Sequence, residues 1–196
     1  MLDREKMERI KNEARQNHVP ILQDASLEFI ETILEIKKPE SILEVGTAVG
    51  YSALQFSKHL KENGKIITIE LNENTANIAR ENIKELGRDN VIEVVNSDAY
   101  EYMKTLEGPF DVIFIDAAKG QYMKYLEQAL RLTKPGSVII ADNILLRGMV
   151  MGEYNEHKHR TAVKRLREYI TAVTTNENLV SCVMDVGDGV AVSVVK

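Results

Sequence analysis

The chain lacks the features that mark several common protein classes. It has one cysteine, Cys182, in 196 residues, which excludes a disulfide framework and a zinc site built on cysteine. It has no excess of positive charge. Lys and Arg number 25 against 30 Asp and Glu, for a formal net charge of −5 at pH 7. That excludes a broadly cationic nucleic-acid coat while leaving room for a local basic patch. No stretch is long and apolar enough to cross a bilayer. The opening MLDREKMERIK is charged throughout and carries no apolar core of a secretory signal. A cytoplasmic protein with no membrane partner is the expectation. Internal repeats, low-complexity tracts and linkers rich in Pro, Gly or Ser are absent. The length suits one domain, with N-terminal helices over 1–36 and an α/β core over 41–196.

What is present is an alternation of short apolar runs and amphipathic segments. Residues 2–16 read as a helix with Met7, Ile10 and Ala14 on one face. It stops at His18-Val19-Pro20, because proline disfavours helical backbone before it. Asp24 is then expected to cap a second helix carrying Leu27, Ile30, Ile33 and Leu34. From residue 41, strands are expected over 42–45, 65–69, 91–95, 112–115 and 138–141. Their residues are apolar on both faces, as in buried parallel strands. Helices are expected near 51–62, 73–86 and 120–131. Two β runs, 179–186 and 189–195, meet at Gly187-Asp188-Gly189, which suits a tight hairpin. The fold class is therefore α/β: a Rossmann-like, doubly wound, mostly parallel seven-stranded sheet with an antiparallel C-terminal edge, preceded by two N-terminal helices.

The first strand leaves through Glu44-Val45-Gly46-Thr47-Ala48-Val49-Gly50-Tyr51-Ser52. Gly46 and Gly50 would let backbone approach a ligand near a helix N-terminus. Ala48 stands where a dinucleotide fingerprint needs its second glycine, which disfavours a pyrophosphate. The second strand ends at Glu70, roughly 20 residues on, where an acid can accept hydrogen bonds from both hydroxyls of a ribose. A nucleoside cofactor follows, with NAD and S-adenosylmethionine both open at this point.

The fourth strand ends at Asp116 and the fifth at Asp142-Asn143. Both fall at carboxyl ends, on the rim of the glycine turn. Two carboxylates and an amide carbonyl make a hard-oxygen set suited to Mg²⁺, Mn²⁺ or Ca²⁺ rather than zinc. Helix capping by the two aspartates is the competing reading. Lys119 follows close behind Asp116.

These residues together resemble the cation-dependent class I O-methyltransferases of the catechol and caffeoyl-CoA type. The likeness runs from about Val19 to the C-terminus. It rests on Glu44-Val45-Gly46, Gly50-Tyr51-Ser52, Glu70, Phe114-Ile115-Asp116-Ala117-Ala118-Lys119 and Asp142-Asn143. Gly120, Ile144-Leu145 and the closing Gly187-Asp188-Gly189 add a resemblance to bacterial tRNA 5-hydroxyuridine methyltransferases. The resemblance implies S-adenosylmethionine and Mg²⁺ (or Mn²⁺) as cofactors. It implies a cofactor site of Leu22, Glu44, Gly46, Gly50, Ser52, Glu70, Asp98, Ala99 and Asp116. Gly46 and Ser52 would hold the methionine end, Glu70 the ribose, and Asp98 and Ala99 the adenine. Asp116, Asp142 and Asn143 would bind the metal, and Lys119 would be the general base. A homodimer is also implied. Two features depart from the pattern. Part of the family's N-terminal helical extension is missing. Val190 and Ala191 follow the Gly-Asp-Gly turn, near which catechol enzymes place a substrate-orienting glutamate.

A divalent ion that chelates two adjacent oxygens lowers a hydroxyl's pKa and fixes its direction. 5-Hydroxyuridine offers such a pair, and so does a catechol. The first expectation is methylation of wobble 5-hydroxyuridine in the tRNA anticodon region to 5-methoxyuridine. A small catechol or hydroxycinnamoyl-type substrate is the alternative, and a non-catalytic nucleoside-cofactor binding module the alternative of another class. Arg147, Lys158, His159, Arg160, Lys164, Arg165 and Arg167 form the densest basic segment, suited to phosphate contacts. Arg4, Lys6, Arg9, Lys11 and Arg15 add to it from the N-terminal helix. A solvated helix face balanced by Glu153, Glu156 and Glu168 is the competing reading. Tyr154 and Lys158 match a dehydrogenase spacing, but the matching glycine pattern is absent. His157 and His159 have no third ligand spaced for zinc.

Overall fold

The computed structural model describes residues 2–152 and 159–196. The apolar runs form β1 (Ser41–Val45), β2 (Lys65–Glu70), β3 (Ile92–Asn96), β4 (Phe110–Ile115), β5 (Thr133–Ala141), β6 (Leu179–Met184) and β7 (Val190–Val195). They pair in the order β3-β2-β1-β4-β5-β7-β6. β1 to β5 are parallel, and β7 pairs antiparallel with both β5 and β6. This is the expected mostly parallel sheet with an antiparallel edge. Strand order reverses between β1 and β4, where such sheets open a crevice.

Successive strand residues point to opposite faces, and two apolar layers result. Ile42, Ile66, Val112, Phe114 and Ile140 pack with α1 (Arg4–Gln16), α2 (Asp24–Lys37), α3 (Tyr51–Phe56) and Ile83 of α4 (Glu73–Glu85). Leu43, Ile69, Ile113, Ile115 and Ile139 pack with α5 (Ala99–Thr105), α6 (Tyr122–Arg131) and α7 (Arg160–Thr175). No helix of the described residues is long and apolar enough to cross a membrane.

The elements differ from the sequence expectation in a few places. α3 ends at Phe56, where Ser57 Oγ donates to the Leu54 carbonyl at 2.7 Å. The helices α5 and α7 were not expected. α7 buries Val163, Leu166, Tyr169 and Val173 at helical spacing beneath a heavily charged outer face. β5 begins at Thr133, through Pro135-Gly136, with a register shift between Phe110 and Val112 of β4. Asp24 does not cap α2. Gln23 is the cap residue, and Asp24 is the first helical one.

Asp24 instead clasps α1 to α2. Lys11 Nζ lies 2.7 Å and Arg15 Nη2 3.2 Å from its carboxylate. Lys6 and Arg9 pair in the same way with Glu85 of α4. Four of the five cations expected to extend a basic patch therefore hold the N-terminal helix in place.

The register levels four strand ends. Val45 lies beside both Ile69 and Ile115, and Ile115 beside Ala141. The ladder continues one step further. Gly46 N donates to Ile69 O at 3.0 Å, Asp116 N to Val45 O at 2.9 Å, and Asp142 N to Ile115 O at 3.0 Å. Gly46, Glu70, Asp116 and Asp142 thus leave the sheet side by side. Gly46 has φ +103°, and a Cβ there would sit 2.1 Å from the Asp116 carbonyl oxygen.

Two outcomes follow from this packing. The Lys11 ammonium, helped by Arg15, holds the Asp24 carboxyl below its ordinary 3.8 against the cost of partial desolvation. A depressed carboxylate pKa stabilises the fold above the unfolded value, and that stability is lost as pH falls through the folded value. Asp24→Asn should therefore melt earlier than wild type at neutral pH, with the gap closing well below pH 3.8. Calorimetric melting across pH checks this; a gap that stays constant into that range contradicts it. Gly46→Ala adds a clash with rigid backbone to a conformational cost, and should destabilise by about 3 kcal/mol. Gly87→Ala has φ +61° but nothing within 4 Å of its Cβ, so only the conformational cost of roughly 1 kcal/mol applies. Denaturant unfolding of both variants reads the difference.

Candidate active site

The glycine turn rests on two acids. Glu70 Oε2 accepts from Ala48 N at 3.0 Å and its Oε1 from Asn72 N at 2.9 Å. Its carboxylate thereby ties the turn after β1 to the loop after β2, while lining the cleft. Ala48 itself has φ +46°, a left-handed conformation rare outside glycine. Glu44 lies beneath, at 0% exposure. Its Oε2 accepts from Thr68 Oγ1 at 2.5 Å, and Thr68 Oγ1 meets Thr47 Oγ1 at 2.6 Å. Its Oε1 is buried with no partner. Burial pushes the Glu44 carboxyl up to about 7, against the opposing influence of the nearby Ser52 and Thr68 hydroxyls.

A cleft of about 790 Å³ opens above this rim. Leu22, Gly46, Ser52, Glu70, Asp98 and Ala99 line it, and so do Asp116, Lys119 and Asn143. Three of the expected site residues stand off its wall. Glu44 is buried under the turn. The missing side chain of Gly50 faces Ala79 and Ile83 of α4, where a Cβ would make ordinary contacts at 3.4 Å. Gly50 is the cap residue of α3, with φ +83°, and is not among the residues that line the cleft. Asp142 is 1% exposed and sits behind the wall. Asp98 has a second task, since its Oδ1 caps α5 by accepting from Glu101 N at 3.0 Å.

The oxygen set is bound into one network. Asp116 Oδ1 accepts from Lys119 Nζ at 2.9 Å and from Asn143 Nδ2 at 2.9 Å. Lys119 Nζ also donates to Tyr122 Oη at 2.8 Å, and Tyr122 Oη donates to the Asp142 carbonyl at 2.8 Å. Asp142 Oδ1 accepts from Ser26 Oγ at 3.1 Å. Asp142 Oδ2 is buried and unpartnered. Burial, and then the charge of Asp116, push the Asp142 carboxyl up to about 7. Neither aspartate caps a helix; the short 3₁₀ turn Lys119–Gln121 begins at Ala118 without a side-chain cap. Among the described residues no group of three or more His, Cys, Asp or Glu side chains is gathered for a metal. The set here is two carboxylates and an amide. Asn143 adopts φ +57°, which asparagine tolerates better than most residues.

Three contributors had not been singled out from the sequence. Thr68 lies two residues before Glu70 on β2 and pairs across the sheet with Glu44. Tyr122 lies three residues after Lys119, a spacing that brings side chains together on a helical turn. Ser26 carries no local signal. The basic segment divides. Arg147 lines the cleft, and Arg160, Lys164 and Arg167 line a separate groove on α7. Arg165 pairs with Glu168 at 2.8 Å. Glu153, Tyr154, Glu156, His157 and Lys158 lie outside the described residues.

The chain is 32% identical over 174 residues to a catechol O-methyltransferase of Niastella koreensis, covering 86% of this chain and 79% of that protein. It is 27% identical over 175 residues to a caffeoyl-CoA O-methyltransferase of Medicago sativa, covering 84% of this chain and 70% of that one. The fold superimposes on an O-methyltransferase from Bacillus cereus, crystallised in complex with SAH, with a TM-score of 0.88 and 28% identity. That match covers 99% of this chain and 92% of the other. Residues 2–196 match the O-methyltransferase family, and the chain belongs to it.

Proposed function

We propose that the chain transfers a methyl group from S-adenosylmethionine to one oxygen of a vicinal oxygen pair on a small, catechol-like or hydroxycinnamoyl-type substrate. Mg²⁺ (or Mn²⁺) would be held by Asp116, Asp142 and Asn143. One observation carries the metal: the buried, unpartnered Oδ2 of Asp142 beside a second carboxylate. Lys119 pairs with Asp116, but Asp142 Oδ2 keeps no partner, and a buried carboxylate oxygen is costly unless a cation or donor meets it. The donors are hard oxygens, once the Asn143 amide turns its oxygen toward the site. When bound, the ion would supply charge stabilisation for a substrate oxyanion.

This chain's own residues do the rest. Glu70 would accept from the ribose hydroxyls and Leu22 would supply an apolar wall, which their place on the cleft lining supports. The turn at Gly46 brings backbone toward the methionine end. As the free amine, Lys119 Nζ would take the proton of the substrate hydroxyl and become the ammonium that pairs with Asp116. Tyr122 holds that nitrogen, accepting its hydrogen bond while donating to the backbone of Asp142. The oxygen's electron pair then forms the new C–O bond as the C–S bond breaks. A methyl ether and S-adenosylhomocysteine leave.

The relatives named for catechol and caffeoyl-CoA support the small substrate. Asp188 supports it too, because it lines the cleft. A carboxylate is thus available from the Gly187–Gly189 turn, even though Val190 and Ala191 are fully buried. A second reading is 5-hydroxyuridine in tRNA, favoured by Arg147 at the cleft and the cationic groove on α7.

The test is methyl transfer by the purified chain to a catechol, a caffeoyl thioester and hydroxyuridine-containing tRNA, each with Mg²⁺ or with EDTA. Turnover on a vicinal pair should need the metal and should fall about 100-fold or more in Asp142→Ala. Cofactor binding should survive that substitution. Undiminished activity in EDTA contradicts the metal assignment. Activity on tRNA alone, weakening as salt rises, selects the second reading.

A further inference from the structure

Asp142 is restrained at three of its four polar atoms. Its backbone N–H donates to Ile115 O at 3.0 Å. Its carbonyl accepts from Tyr122 Oη at 2.8 Å. Its Oδ1 accepts from Ser26 Oγ at 3.1 Å. The fourth atom, Oδ2, is buried without a partner. The Ser26 hydroxyl is the side-chain restraint on the carboxylate, beside the adjacent Asn143 backbone N–H, and it comes from 116 residues away.

Ser26 lies in the first turn of α2 and is 0% exposed. The hairpin turn between β6 and β7 lies close against it. A Cβ on Gly187 would stand 2.2 Å from Ser26 Oγ, so only a glycine lets that turn close over the hydroxyl. The hydroxyl is therefore held between a strand end, a helix start and a hairpin. A buried hydroxyl in this position gains one hydrogen bond, but its larger effect is on direction. With Oδ1 fixed, the carboxylate plane is fixed, and with it the direction of Oδ2.

We propose that Ser26 is a positioning residue for the cation site. By donating to Asp142 Oδ1 it aims Oδ2 at the metal, and so couples the N-terminal helix α2 to the reacting end of the cleft. The inference rests on the metal reading above. Groups that orient a ligand in this way commonly change metal affinity 10- to 100-fold.

The test is Mn²⁺ binding to the full chain, with saturating SAH, followed by electron paramagnetic resonance of free Mn²⁺. Ser26→Ala should bind Mn²⁺ about 10-fold more weakly, while SAH affinity stays at the wild-type level. Ser26→Thr keeps the hydroxyl and should recover part of the loss. Ser137→Ala is the control. Ser137 is also fully buried, lies midway along β5, and donates to Phe110 O at 2.7 Å while accepting from Lys134 N at 3.1 Å. Its removal deletes a comparable bond and should leave Mn²⁺ affinity unchanged. Wild-type affinity in Ser26→Ala, with binding lost in Asp142→Ala, overturns the role of Ser26 and keeps the metal site. Equal weakening by Ser26→Ala and Ser137→Ala also overturns it, as a general effect of destabilisation. Wild-type protein that binds Mn²⁺ no better than Asp142→Ala overturns the metal reading itself.

Discussion

The level register of β1, β2, β4 and β5 is the constraint on which the site depends. Val45 pairs with Ile69 and Ile115, and Ile115 with Ala141. A slip of one residue in any of these strands would move its last side chain about 3.3 Å and turn it to the other face. Glu70 would then lose the glycine turn, or Asp116 its contacts with Lys119 and Asn143. Two apolar layers prevent the slip, because each strand buries alternate residues against different helices. The core is in this sense an alignment device for four residues that follow it.

At that rim the protein tolerates groups that a stability argument alone would remove. Glu44 and Asp142 are buried carboxyls, each with one oxygen satisfied by a hydroxyl and one unpartnered. Unmet buried polar atoms are rare in native proteins and carry a cost. The nearby backbone is also unusual, with Ala48, Asn143, Leu146 and Arg147 all at positive φ. Strain and orphaned polar atoms that gather at one place point to a ligand that would relieve them. They lie on both sides of the same cleft. The Glu44 side underlies the nucleoside cofactor end, and the Asp142 side the end where a cation would sit.

The sheet and the residues at its rim were legible in the sequence because they follow short-range rules. Apolar runs marked the strands, and the residue that follows the second, fourth and fifth runs is Glu70, Asp116 and Asp142. The Gly-Asp-Gly connection marked the hairpin. What escaped had causes outside any local window. Asp24 reads as a helix cap, yet two cations from α1 compete for its carboxylate and win. Gly50 packs against α4, a contact that no local spacing announces. The helix α7 was hidden because its apolar positions are diluted by charge. Ser26 reaches Asp142 across 116 residues, and no spacing encodes such a meeting.

These long-range contacts change how the N-terminal helices should be understood. They could be a cover laid over a finished catalytic domain. The contacts argue otherwise. The loop that enters α2 supplies Leu22 to the cleft wall, and the first turn of α2 supplies Ser26 to Asp142. The same turn carries Asp24, which α1 grips through Lys11 and Arg15. One segment of a few residues thus joins the cleft wall, the Asp142 carboxylate and the outermost helix. Any motion that swings α1 and α2 away would open the cofactor end and release the Asp142 carboxylate together. The Leu22 wall of the cleft and the Asp142 carboxylate are therefore mechanically linked through α2.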